Sequence, residues 1–496
     1  MAFTISGWSD SHAQEWDYQW NASGSPRSWT LSSNWIPSTG FSGYPNGDGI
    51  YVYFSRPTAL GGNQYVTLDA NISVGRLDIG NLSSSGSFNI QAGSGGVLNF
   101  TAYDGGNAQL NQYAENLSPA NSILAPVTLS ASLDVTNSST KALTIAGDIS
   151  SATAGAKSLT VDGDVTISGN ISDGAGAISL IKTGSGVLTL SSVSSSYTGD
   201  TIIKTGGLSI SDDAQLGNGG NLIFDNGSSW GQLGVSTVSV STGRTIELNG
   251  NVARIAVTPD LTFTVNGNVT GSGGILKRFA GALILNGSGN YTGNSTVEGG
   301  SFIVNGDYSA STGTITVNEG ALLGGGGVFG GAAVVNGTLA AGNSIGTLSI
   351  GDLTIGSTGS LEVELGRSAG TPTSDQVHVT GEVTLASDAN LELIQYTGLD
   401  APEVGDIYWL VVNDGADAVS GTFGQLNGIV TSSLSEGGTF SWDGLTWQIT
   451  YLANFDAESF SGGNDIALQV VPEASTMSMV LVFCVVLTLW RYRRHR

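Results

Sequence analysis

The chain has 496 residues, among them 74 Gly, one Cys and three His, and it carries 16 Lys and Arg against 40 Asp and Glu. A net charge of −24 repels phosphate backbones, so a basic nucleic-acid surface is excluded and no nucleic acid is expected as a partner. One Cys cannot form an internal disulfide, and with three scattered His it cannot build a Cys/His zinc site, so neither a metal nor a cofactor is expected. With 40% hydrophobic and only 11% charged residues, the composition is not that of a charge-driven disordered chain.

In chain order, residues 1–55 come first and hold Trp8, Trp16, Trp20, Trp29 and Trp35, five of the ten Trp. We read them as an N-terminal aromatic cap over the open end of a core, with a sugar-stacking platform as the functional alternative. Beyond them, two-residue alternation dominates. In Gly359–Gly366, Leu361, Val363 and Leu365 face one way and Glu362 and Glu364 the other. The pattern recurs at Leu188/Leu190, Leu283/Leu285, Ile315/Val317, Leu348/Ile350, Leu353/Ile355, Val383/Leu385 and Leu391/Leu393. Such short runs, bounded by Gly, Asn, Asp or Ser, predict half-buried strands and an all-β class. Nine Asn-Gly pairs, beginning at Asn46, Asn218, Asn226, Asn249, Asn266, Asn286, Asn305, Asn336 and Asn427, are expected to be sharp corners, because Asn and Gly tolerate positive φ. Corners of this kind serve hairpins or a parallel solenoid equally well.

An internal repeat separates the two. Lys182-Thr-Gly-Ser-Gly-Val-Leu-Thr-Leu190 and Tyr197-Thr-Gly-Asp-Thr-Ile-Ile-Lys-Thr-Gly-Gly-Leu-Ser-Ile210 return as Lys277-Arg-Phe-Ala-Gly-Ala-Leu-Ile-Leu285 and Tyr291-Thr-Gly-Asn-Ser-Thr-Val-Glu-Gly-Gly-Ser-Phe-Ile-Val304. This unit resembles the autotransporter-associated β-strand repeat. The resemblance implies a passenger-like, right-handed parallel β-helix over residues 56–365. Gly337-Thr-Leu-Ala-Ala-Gly-Asn-Ser-Ile-Gly346 is similar to a segment common near the end of such passengers, with Ala341 where Pro is usual. Residues 366–470 keep the alternation, add Trp409, Trp442 and Trp447, and are read as terminal coils and a β cap.

Residues 471–496 change character. Seventeen uncharged residues, Ala474 to Trp490, separate Glu473 from a basic end of Arg491, Arg493, Arg494 and Arg496. As a helix this stretch would span about 25 Å, the short limit for a bilayer core, with Trp490 at the interface and the Arg cluster in the cytoplasm. A C-terminal transmembrane helix is therefore expected, with Cys484 a small apolar residue inside it. Val471, Pro472, Glu473, Ala474 and Ser475, followed by the span and the Arg-rich end, resemble the PEP-CTERM sorting signal, with Ala474 in place of its second Pro. The resemblance implies recognition by an exosortase-type membrane enzyme and transient anchoring in the inner membrane of a Gram-negative bacterium. Release to the cell surface or matrix would follow, with exopolysaccharide as a further partner. Met1–Asp10 has no basic region or apolar stretch of the kind export leaders carry, so Met1 is expected not to be the true start.

Chemistry is sparse. Polysaccharide cleavage needs paired carboxylates, or a carboxylate site with a basic residue. The candidates are Asp212, Asp213 and Asp225 beside Arg244, Arg254, Lys277 and Arg278; His378, between Val377 and Val379 in a strand, is expected to face solvent without a partner. Asp212 and Asp213 sit in a turn-like Ser-Asp-Asp-Ala-Gln, where Asp ordinarily binds local backbone N–H groups. No catalytic residue is assigned. The sequence reads as a non-enzymatic, exported structural protein of the cell surface or exopolysaccharide matrix, with an adhesin or carbohydrate-binding β-helix as the alternative and a β-helix lyase or hydrolase third.

Overall fold

A computed structural model describes residues 16–22, 27–54, 63–80, 86–414 and 417–473, and the chain divides into two compact units, Met1–Val240 and Ser241–Arg496. Each unit is wound from short parallel strands as a β-solenoid of the right-handed type. One coil of the first unit runs Ala142–Ile145, Ile149–Ser151, Lys157–Gly163, and the next begins at Val165–Ile167. Each strand pairs in parallel with the strand one coil on, not with its neighbour in sequence. That pairing decides for the solenoid over stacked hairpins.

The alternating residues become vertical columns. Leu143, Val165, Leu188, Leu208 and Leu233 are aligned in register and buried in the first unit. Leu283, Phe302, Leu323, Leu339, Leu361 and Leu391 do the same in the second. Each such side chain contributes about 1.5–3 kcal/mol by leaving water. Every alternating pair named from the sequence points inward.

At the start of the first unit, Trp35–Pro37 runs antiparallel to Tyr18–Trp20 and ends the sheet. Trp20, Trp29 and Trp35 are buried against Phe54, with ring centroids 4.9–5.5 Å apart. The indole N–H of Trp29 donates to the Pro45 carbonyl at 2.8 Å and that of Trp35 to the Trp29 carbonyl at 2.7 Å. These rings are packed into the core rather than displayed, which removes the sugar-stacking alternative for these three. Trp8 lies outside the described residues.

The second unit finishes differently. Ile407–Asn413, Asp465–Val471, Leu445–Ala453 and Thr439–Trp442 form an antiparallel run around the buried Trp447. Here the boundary of the tail needs correcting: Val471 ends the last strand and pairs with Thr446, so it belongs to the folded body. Pro472, which has no N–H to extend the ladder, follows it. Among the described residues no helix is long and apolar enough to cross a membrane. The proposed membrane helix, with Ala474, Ser475, Cys484, Arg491, Arg493, Arg494 and Arg496, falls outside them.

The Asn-Gly pairs also need correcting. Gly219, Gly227 and Gly428 have positive φ as expected, but Gly267, Gly287 and Gly306 do not. They are Gly because the coils stack too closely for a Cβ, which would stand 2.1 Å from the Arg244 carbonyl oxygen, 2.0 Å from that of Gly267 and 1.6 Å from that of Gly287, respectively. The preceding Asn residues form an outer ladder. Asn286 donates to Asn266, Asn305 to Asn286 and Asn343 to Asn305, each at 2.9–3.0 Å.

Candidate functional site

The repeat's signature residues build the wall from inside. Lys182 and Lys277 are fully buried. The Lys277 ammonium donates to the carbonyls of Arg278, Phe279 and Gly299 at 2.8–3.1 Å. Lys182 donates to the corresponding Thr183 and Gly184 carbonyls. In both copies the Lys stem fills a corner and its head ties down the turn that follows. Tyr197 and Tyr291 are buried too, the first sharing a hydrogen bond with Thr201 at 2.6 Å and the second accepting one from Ser295 at 3.3 Å. Each copy spans four strands, since Lys182 and Lys277 lie within strands Ile178–Thr183 and Gly274–Arg278.

Burial lowers both Lys to about 8, for Lys182 against the opposing pull of Asp162 and Asp164. Because the folded value lies below the ordinary 10.5, the unfolded chain holds more protons between the two, and stability must rise with pH across that interval. We expect the urea midpoint to increase between about pH 8 and 9, below the range where the tyrosine hydroxyls of the unfolded chain ionise. Lys277→Met should flatten part of that slope. An equal slope in the variant would show that Lys277 does not titrate as its burial requires.

Of the candidate catalytic groups, Asp212, Asp213 and Asp225 lie in the first unit and Arg244, Arg254, Lys277, Arg278 and His378 in the second. Asp212 caps the short helix Asp213–Leu216 by accepting from Ala214 N–H at 2.9 Å. Asp225 lies 3.7 Å from the exposed Lys204 ammonium. Lys277 is withdrawn into the core, and Arg278 pairs with Glu298 at 3.0 Å. Arg244 stands between strands Val240–Thr242 and Ile246–Leu248. His378 is half-buried and hydrogen-bonds Gln376 at 3.1 Å; its ring lies 6.1 Å from that of Phe455, and burial lowers its pKa. Among the described residues no cluster of His, Cys, Asp or Glu could hold a metal ion.

Arg254 and Arg278 lie on an outer face of the second unit. Arg254 points outward from Val252–Val257, and the next coil places Leu276 beside it and Arg278 beside Ala256. The turn after Arg278 carries Phe279 at φ 63°, 51% exposed, with the Arg278 guanidinium 5.5 Å from its ring centroid. The other copy has Gly184 at this position, at φ 66°. A bulky residue in this left-handed region costs about 1–2 kcal/mol relative to Gly. A residue left half in solvent recovers only part of that through packing. The signal was available in the aligned copies as a Phe where its counterpart has Gly.

Sequence reasoning also missed a buried network on the outer side of the first unit. Asp78 is fully buried and accepts from Arg76 Nε at 3.0 Å and from Asn111 Nδ2 at 2.7 Å, and it hydrogen-bonds the Tyr113 hydroxyl. The Arg76 guanidinium lies 4.6 Å from the Tyr51 centroid and 5.7 Å from that of Tyr103. Burial, reinforced by the Asp78 charge, raises Tyr51 strongly and pushes Tyr113 up to about 12.

The fold is a β-solenoid in which the repeat buries Lys182, Lys277, Tyr197 and Tyr291. Residues 180–210 and 280–304 match the passenger-associated transport repeat. The chain is also similar to the adhesin BmaC autotransporter of Brucella suis biovar 1 (strain 1330), at 31% identity over 174 residues. That alignment covers 33% of this chain and 5% of the Brucella protein, so the chain spans a small part of its relative's length.

Proposed function

We propose that this chain is an exported, non-enzymatic, adhesin-like β-solenoid of a Gram-negative cell surface, whose outer faces make the contacts. The observation that carries this reading is the repeat itself. Both matched stretches bury their Tyr and the alternate residues of their strands, and Lys182 in the first and Lys277 just before the second are buried with them, leaving the scaffold to present loops and outer strand positions; the stretch shared with an autotransporter adhesin points the same way. The runner-up reading of the sequence thus takes precedence over a purely structural matrix role; association with exopolysaccharide remains within it as one kind of contact. For the tail we propose the PEP-CTERM-like route, with recognition of residues 471–475 by an exosortase-type enzyme and passage through the inner membrane.

Antibodies raised against residues 241–470 should label intact producer cells. Labelling that needs prior lysis would overturn the surface assignment. The tail is tested separately by ending the chain after Glu473, which keeps the Val471–Thr446 pairing. This variant should leave the membrane fraction and melt as the whole chain does. Retention in the membrane fraction would sink the sorting role.

A further inference from the structure

We propose that Phe279, backed by Arg278 and Glu298, is a glycan-stacking contact, the aromatic ring receiving the C–H face of a pyranose while the guanidinium and carboxylate reach its hydroxyl edge. The inference deepens the adhesive reading above and rests on it for biological meaning. Three observations support it. The first is strain with only partial packing: Phe279 holds a left-handed conformation that its counterpart fills with Gly184, yet the residue remains 51% exposed. Backbone strain kept under a side chain that lies half in solvent points to use of that side chain.

The second is rigidity. Lys277 donates to the carbonyls of Arg278 and Phe279, so a buried ammonium fixes the turn that carries the ring. A turn held in place loses little freedom when a ligand settles on the side chain it carries. The third is the polar company. Arg278 lies over the ring, 5.5 Å from its centroid, and its Nε donates to Glu298 at 3.0 Å. An exposed ion pair adds little stability, so its effect is to hold the guanidinium close to the ring. One aromatic face flanked by a donor and an acceptor suits an amphipathic sugar ring. An apolar peptide side chain would leave the Arg and Glu edge unused.

The test uses the purified full chain on immobilised β-glucan, galactomannan, alginate and hyaluronan, with gelatin as a protein surface. Wild type should be retained on at least one glycan, and Phe279→Gly should weaken that retention at least tenfold. The same variant should raise Tm by a few degrees, because the left-handed position returns to Gly. Phe279→Ala should lose binding without the gain in Tm, and Phe279→Trp should keep binding. Several results overturn the proposal: no glycan retains wild type, Phe279→Gly binds as well as wild type, or that variant melts earlier because the ring supports the fold. Retention on gelatin alone, lost in Phe279→Gly, would make the partner a protein and overturn the glycan assignment. Because purified protein is used, none of these outcomes depends on surface display, whose failure is read by antibody labelling.

Discussion

Replacing Asp78 with Ala is expected to lower the unfolding free energy by about 3–5 kcal/mol, read from the shift of the urea or thermal transition. The side chain is fully buried and balances the Arg76 guanidinium, which is only 10% exposed and lies 2.9 Å from it. Removing the carboxylate strands that charge beneath Tyr51 and Tyr103, and the Tyr113 hydroxyl and Asn111 amide lose the acceptor they share. The double change Arg76→Met with Asp78→Leu separates causes. It removes both charges and keeps apolar volume, so it should recover most of the loss. If the double variant is as unstable as the single one, the network matters through something other than charge balance.

Gly306→Ala should be comparably damaging, costing about 3 kcal/mol or more, although Gly306 has no left-handed backbone to protect. Its added Cβ would meet the Gly287 carbonyl oxygen at 1.6 Å, and backbone below it cannot rotate away as a side chain could. The coil would have to lift, disturbing the Asn305–Asn286 hydrogen bond of the outer ladder. Overpacking of a well-filled interior ordinarily costs about 1–3 kcal/mol, and a clash between two backbones belongs at the top of that range. Gly243 is the control: a Cβ added there would meet nothing within 4 Å, and its φ is ordinary. Gly243→Ala should stay within about 0.5 kcal/mol of wild type. Equal losses in both would mean that glycine flexibility, rather than coil spacing, is what the column requires.

The sequence by itself determined the strands and their faces, because alternation is a local property of the pleat. Leu188 and Leu190, or Leu361, Val363 and Leu365, face inward whatever lies on the next coil. It also determined the repeat, whose order of residues survives in the two copies although Lys to Tyr is 15 residues in one and 14 in the other. Tertiary structure decided what depends on the neighbouring coil. Lys277 stands in the sequence as a candidate basic group for polysaccharide cleavage, yet it turns inward because three turn carbonyls are within reach of its ammonium. Gly306 reads as a corner and is a spacer, because the constraint on it comes from Gly287, one coil and nineteen residues earlier, the same offset that separates Asn305 from Asn286. Arg76 and Asp78 occupy outward positions of Arg76–Ile79 and are nonetheless buried, because Tyr51, Tyr103 and Tyr113 close over them from other coils. A period of two states which side of a strand faces the core; only the stacking of coils settles what covers the other side.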